Sequence, residues 1–293
     1  MLGMLLLVYT FNFIDRQIIG ILAVPIKAEL ALTDTQLGAL GGLAFALFYT
    51  ALGIPIALLA DRRSRTWIVT SALLLWSGFT ALCGLATGFW QLFLCRLGVG
   101  VGEAGGVAPS YSLIADYFPS AQRGRAMAIY SLGIPIGSAS GVVLGGWIAS
   151  TVDWRTAFFV VGLSGIAIAP LFRFVVREPV RGRFDRQIAK APAASIRSVF
   201  AHVARKPSFW LLSFGASCSS IVGYGLMFWL PSFFRRSLGL TLFDVSLFYG
   251  ALLLVGGIIG VLGGGMLVDR IGTARRSAYA LVPAAAFLLA IPF

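Results

Sequence analysis

Histidine is almost missing from this chain. His202 is the single copy in 293 residues. That excludes a multi-histidine metal site, and it leaves a serine such as Ser110 without a histidine base. Cysteine is scarce too. Cys83, Cys95 and Cys218 all lie inside apolar runs, so no disulfide framework is implied. Charge is the third shortage: 12% of residues are charged and 58% hydrophobic, with a mean hydropathy of +0.90. A soluble domain carries about 25% charged residues. Half that fraction cannot cover a surface facing water, which argues against a soluble enzyme, a nucleic-acid binder and a disordered chain. Acids are the rarer charge, 11 against 23 bases, for a net charge of +12. An isoelectric point near 10.4 would suit nucleic acid. The bases, however, are confined to short breaks between apolar runs, which is the pattern of a membrane topology signal.

A spanning helix takes about 20 mostly apolar residues. Run length predicts eight complete spans, at 3–27, 37–60, 66–87, 89–117, 124–150, 154–176, 207–233 and 241–268, and a ninth starting at 275. The first run is too long, and too polar at its centre, for a cleaved signal peptide. Of the 23 bases, 17 fall on one side of the membrane so drawn, and Lys27, Arg155, Arg235 and Arg236 on the other. The asymmetry predicts a cytoplasmic N-terminus. Residues 177–206 are basic, hold Pro179 and Pro192, and contain a short amphipathic run over Ile196–Val203. They read as a cytoplasmic linker, either a solvated tether or one carrying a helix at the membrane surface. The predicted organisation is a six-helix bundle over 1–176, the linker over 177–206, and a partial second bundle over 207–293.

Residues 32–65 and 240–273 superpose at an offset of 208. Thr33 meets Thr241, Ala57 meets Gly265, Asp61 meets Asp269 and Arg62 meets Arg270. Such a parallel repeat of two bundles is typical of one large class of secondary transporter. Six spans before the linker predict six after it. The chain stops at Phe293, inside the ninth. The repeat therefore predicts a fragment lacking about 90 residues or more. The first span also starts without a polar lead, which predicts a clipped N-terminus.

Four ionisable residues fall inside spans: Asp15 and Arg16 in the first, Arg96 and Glu103 in the fourth. Each costs at least about 2.5 kcal/mol at membrane depth and usually faces a cavity or a partner. Arg96 and Glu103 are two turns apart, on one helix face and about 10.5 Å along it. Burial could tune Asp15 or Glu103 to bind and release a proton, and the arginines could hold an anion by bidentate hydrogen bonds. The alternative is a fixed ion-pair network that only ties helices one and four together. Asn12, Gln17 and Tyr111 are candidate lining residues. Gly133, Gly137, Gly141 and Gly145 recur every four residues, a stripe that lets helices approach closely. It serves sliding and static packing equally. The turns around Asp61, Arg62 and Arg65, and around Asp269 and Arg270, are latch candidates. Plain topology explains their arginines but not matched aspartates.

These two turns resemble the cytoplasmic signature of the major facilitator superfamily: glycine, three residues, aspartate, arginine, any residue, glycine and a base. The copy beginning at Gly265 fits well, while the first copy has Ala57 and Ser64 where glycine is usual. Leu92 to Gly102 resembles the fourth-helix motif of the family, and Gly133 to Gly146 its fifth-helix motif. Asn12-Phe13-Ile14-Asp15-Arg16 and Gly100-Val101-Gly102-Glu103-Ala104 most resemble the spinster-like branch. The organic-anion symporter branch carries similar first and fourth helices. The resemblance implies an all-α membrane fold of two six-helix bundles working by alternating access. It implies a carrier rather than an enzyme, with no cofactor and no metal. Its partners would be the bilayer, protons and a lysolipid or other small solute, and not nucleic acid; it would act as a monomer in a bacterial inner membrane. By position, Asp15 and Glu103 would be the protonatable pair. Arg16, Arg96, Asn12 and Tyr111 would meet the solute, and Asp61, Arg62, Arg65, Asp269 and Arg270 would form the inner gate. A proton-linked symporter of small carboxylates is the second reading.

Overall fold

The computed structural model describes residues 1–184, 196–272 and 277–290. Among them are fourteen helices and no strand. In chain order these are α1 (Leu2–Ile21), α2 (Ala23–Leu30), α3 (Asp34–Gly41), α4 (Leu43–Arg62), α5 (Arg65–Cys83), α6 (Phe89–Glu103) and α7 (Val107–Tyr117). They continue with α8 (Ser120–Ser131), α9 (Gly133–Thr151), α10 (Trp154–Val175), α11 (Ile196–Ala204), α12 (Pro207–Ser237), α13 (Leu242–Gly272) and α14 (Ala278–Ala290). Seven helical stretches are long and apolar enough to cross a membrane.

Several predicted spans are each two helices, and proline marks three of the breaks. Proline has no N–H, so it leaves the carbonyl four residues earlier without its helical donor. Pro25 does this to Ile21, the last residue of α1. Pro135 does it to Ser131, the last residue of α8. Pro109 does it to Gly105, in the turn between α6 and α7. That turn tightens further where Gly105 and Gly106 donate to Gly102 and Glu103, three residues back. The fourth span is therefore not the continuous helix that run length predicts. The ninth is a 13-residue helix over the residues described.

The repeat is visible in the caps. Thr33 accepts from the Gln36 N–H at 3.2 Å, and the Thr33 N–H donates to Gln36 Oε1 at 2.9 Å. At the matched position Thr241 accepts from the Asp244 N–H at 3.1 Å. Both helices thus start on the same device.

Within the first half, α1 lies against α9 and α10, and α5 against α6 and α10. Buried apolar side chains form two clusters. One, toward the Met1 end of α1, holds Leu5, Tyr9, Phe13, Trp76, Tyr130 and Phe172. The other, toward the far end, holds Ile14, Ile18, Leu22, Trp154 and Phe158. The boundary between them crosses α1 at Phe13 and Ile14, beside the residues that carry charge. The second half reaches the first through α12 on α1 and α13 on α9.

Candidate functional site

Asp15 and Arg16 are neighbours on α1, and α6 brings Arg96 and Glu103. The pairing is crossed. Arg96 Nη1 donates to Asp15 Oδ1 at 3.0 Å, and Arg16 Nε donates to Glu103 Oε2 at 2.7 Å. Each helix gives one acid and one base, so the buried charge sums to zero. Thr80 on α5 adds a contact to Asp15 Oδ2. The same hydroxyl lies 2.9 Å from the Trp76 carbonyl. A hydroxyl has one hydrogen and cannot fully serve both oxygens. A proton on Asp15 would let the carboxyl donate to Thr80 and leave Thr80 to donate to Trp76.

Arg16 is held on several sides. Its guanidinium carbon lies 5.1, 4.7 and 4.8 Å from the ring centroids of Phe13, Phe45 and Tyr49. Such placements are favourable cation–π contacts. Nη1 donates to the Tyr224 hydroxyl at 3.3 Å, and Tyr224 belongs to α12 in the second half. Arg16 Nη2 and Glu103 Oε1 are buried with no hydrogen-bond partner. Between the halves is a cavity of about 340 Å³, walled in part by Arg16, Gln17, Phe45, Tyr49, Arg96 and Tyr224.

The structure brings Arg16, Arg96 and Gln17 to this cavity but not Asn12 or Tyr111. Asn12 is one turn before Arg16 and is 2% exposed, with neither amide atom hydrogen-bonded. Tyr111 lies beyond the break after α6 and turns edge-on to Tyr130, centroid to centroid 5.7 Å. Gly133, Gly137, Gly141 and Gly145 face α1. A Cβ at Gly141 would lie 2.9 Å from the Ile14 Cα, so the two backbones touch there.

The residues expected to form the inner gate fall into two groups, Arg65 buried and the others exposed. Arg65 is not held for a partner in the second half. It is buried, and it pairs with Asp116 at the end of α7, with Ser112 Oγ at 2.8 Å, and with Glu178 Oε1 at 2.7 Å. The reason is local. Arg65 is the first residue of α5, which begins against the end of α7 and the segment after α10. Asp61 and Arg62 are exposed at the end of α4, as are Asp269 and Arg270 at the end of α13. Residues 177–184 are docked rather than a free tether. Arg181 Nη2 donates to the Ala60 carbonyl at 2.7 Å, and the Gly182 N–H donates to Asp116 Oδ1 at 2.9 Å. Partial burial pushes the Glu178 carboxyl up, but the Thr66 N–H, Arg65 and Ser64 outweigh it and hold it below its ordinary value. Residues 185–195, the middle of the predicted linker, lie outside the described residues.

An ion pair between the halves does occur, at the opposite face. Asp34 accepts from Arg236 on α12 at 2.8 Å and from Lys27 at 2.7 Å. Sequence reasoning took Lys27 and Arg236 as topology alone. It also passed over Thr80, Asp116, Glu178 and Tyr224. A signal existed for Tyr224: the offset of 208 that sets Thr33 on Thr241 also sets Arg16 on Tyr224.

Among the described residues no group of three or more His, Cys, Asp or Glu could hold a metal ion. The fold and site define an all-helical integral membrane protein with a charged centre facing a cavity between two repeated halves. The chain belongs to the major facilitator superfamily, whose family description, Major Facilitator Superfamily, it matches over residues 5–293. It is 35% identical over 271 residues to an MFS-type efflux pump of Mycolicibacterium smegmatis, covering 92% of this chain and 62% of the relative. It is 32% identical over 304 residues to protein spinster homolog 1 of Homo sapiens, covering 96% and 56%. A crystal structure of a bacterial homolog to the human lysosomal transporter Spinster, inward-facing and unoccupied, superposes with a TM-score of 0.80. It shares 36% identity, over 93% of this chain and 62% of that one. The chain thus spans about 60% of the length of these relatives. A D-xylose–proton symporter shares the fold at 17% identity and a TM-score of 0.61, over 92% of this chain and 69% of that one.

Proposed function

We propose that this protein is a proton-coupled secondary carrier that works by alternating access and moves an amphipathic, lipid-like solute bearing an anionic group. The observation that carries the reading is Arg16. It sits on the wall of a cavity between the halves while its charge is balanced, away from that cavity, by Glu103. A proton on Glu103 cancels the charge that holds Arg16 and leaves the guanidinium to an anion. Loss of that proton restores the pair and competes the anion away. Asp15 is the second proton site, with Arg96 and Thr80 as the groups that exchange partners. Proton movement and solute binding are then linked through one guanidinium.

The resemblance to the spinster-like branch implies a lipid-like solute, and the apolar rings around Arg16 suit an acyl chain. A small carboxylate is the second reading. The cavity, about 340 Å³, favours it, because ligand pockets usually span about 300–1,000 Å³. In the proposed setting the Met1 end of α1 faces the cytoplasm of a bacterial inner membrane, and one chain is one carrier. The test reconstitutes the full-length protein in vesicles, imposes a pH gradient, and records proton flux on adding lysolipids or dicarboxylates. Wild type should show saturable flux with one class of solute, and Glu103→Gln should lose it. Full solute-driven flux in Glu103→Gln would overturn the coupling assignment.

A further inference from the structure

We infer that Tyr224 is the second half's part of the anion site: its hydroxyl accepts from Arg16 in this structure and donates to a carboxylate or phosphate once Arg16 has bound one. The inference rests on the reading of Arg16 given above and extends it to the other bundle. Arg16 has five N–H groups in a rigid plane. Nε–H is taken by Glu103, and the rings of Phe13, Phe45 and Tyr49 lie within about 5 Å of the guanidinium carbon. What remains for a ligand is the edge formed by Nη1 and Nη2. Two parallel donors on one edge fit two oxygens of a single oxyanion. Among the described residues Nη2 is buried with no hydrogen-bond partner, and Nη1 donates to the Tyr224 hydroxyl, at 3.3 Å. That is long for an N–H···O bond, so the hydroxyl is easily displaced.

Tyr224 does not leave the site when displaced. A phenol both donates and accepts. Among the described residues its own hydrogen meets no acceptor, so it is free to turn onto an oxyanion bound at the Arg16 edge. The anion is then held by α1 on one side and α12 on the other. Position strengthens the argument. Arg16 and Tyr224 stand 208 residues apart, and one turn on Gly20 also meets Phe228. The two helices therefore meet beside the cavity, where one ligand can be read by both.

The test measures saturation binding to the full-length protein in lipid nanodiscs by equilibrium dialysis. The probes are radiolabelled octyl phosphate, octanoate and octanol below their micelle concentrations. Wild type should prefer both anions to octanol. Tyr224→Phe should weaken both anions about tenfold, the loss expected for one hydrogen bond to a charged group, and leave octanol within about twofold. Arg16→Ala should abolish the preference. If Arg16→Ala abolishes it while Tyr224→Phe binds like wild type, the role of Tyr224 is overturned and that of Arg16 stands. If wild type shows no preference, or Arg16→Ala keeps it, both fall.

Discussion

Arg96 and Asp15 are each 1% exposed, so neither can exchange its partner for bulk water. Removing one member of such a pair strands the other charge, which costs about 3–5 kcal/mol, whereas replacing both by well-packed apolar residues of similar volume is close to neutral. Arg96→Met should therefore lower the thermal stability of the detergent-purified protein by that amount. Arg96→Met with Asp15→Leu should recover most of it. A single variant that melts with wild type would mean that Asp15 is already protonated or paired elsewhere. The four charged residues of this centre were legible in the sequence because an ionisable group in an apolar run stands out against its neighbours. Their pairing was not. Two acids and two bases allow two matchings, and only the crossing of α1 and α6 selects Asp15 with Arg96. Thr80 was illegible for a different reason: a threonine in a spanning helix carries no signal until its hydroxyl is seen to meet Asp15 rather than only its own backbone.

The segment after α10 shows what a linker can do that composition conceals. Its bases follow the topology rule, which suits a solvated tether or a helix at the membrane surface. Its single acid in the described part, Glu178, instead locks it to the start of α5 through Arg65, Ser64 and the Thr66 N–H. A carboxyl held below its ordinary value of 4.5 stabilises the folded state fully above that value, and loses the contribution as pH falls through the lowered folded value. Glu178→Gln should thus melt lower than wild type at pH 7, by the equivalent of about 1 kcal/mol given its partial exposure. The gap should close as pH is taken well below 4.5. Melting curves in detergent across pH 3 to 7, conditions chosen at roughly unit steps, would decide it; a gap that is constant with pH contradicts the assignment. The helix breaks at Pro25, Pro109 and Pro135 could not be read from the missing N–H alone, since Pro55, Pro170 and Pro231 lie inside continuous helices. Nor could the docking of 177–184, because it depends on Arg65 and Asp116, 51 residues apart, being brought together by packing.

At the scale of the whole molecule, the contacts between halves are distributed unevenly. Toward the far end of α1, Gly20 meets Met227 and Phe228, and Asp34 meets Arg236. Toward the Met1 end, the turns carrying Asp61 and Asp269 are both exposed. For the carrier proposed above, this is the asymmetry expected when one face is shut. The repeat offset made the relation of the halves legible, but not which face is shut, since one sequence must serve both states. If the halves rock, the Gly20–Phe228 contact has to open for the other state to form. A Cβ at Gly20 would lie 3.5 Å from the Phe228 Cα, which brings the two Cα atoms within the range, about 4.4–6.8 Å, that a disulfide spans. Gly20→Cys with Phe228→Cys, in a background where Cys83, Cys95 and Cys218 are serine, should oxidise readily in the membrane. The cross-linked protein should bind solute from the Met1 side yet fail to carry it across, and a reductant should restore transport. Transport that persists after complete cross-linking would mean that α1 and α12 stay together throughout the cycle, and that the moving contact lies elsewhere between the bundles.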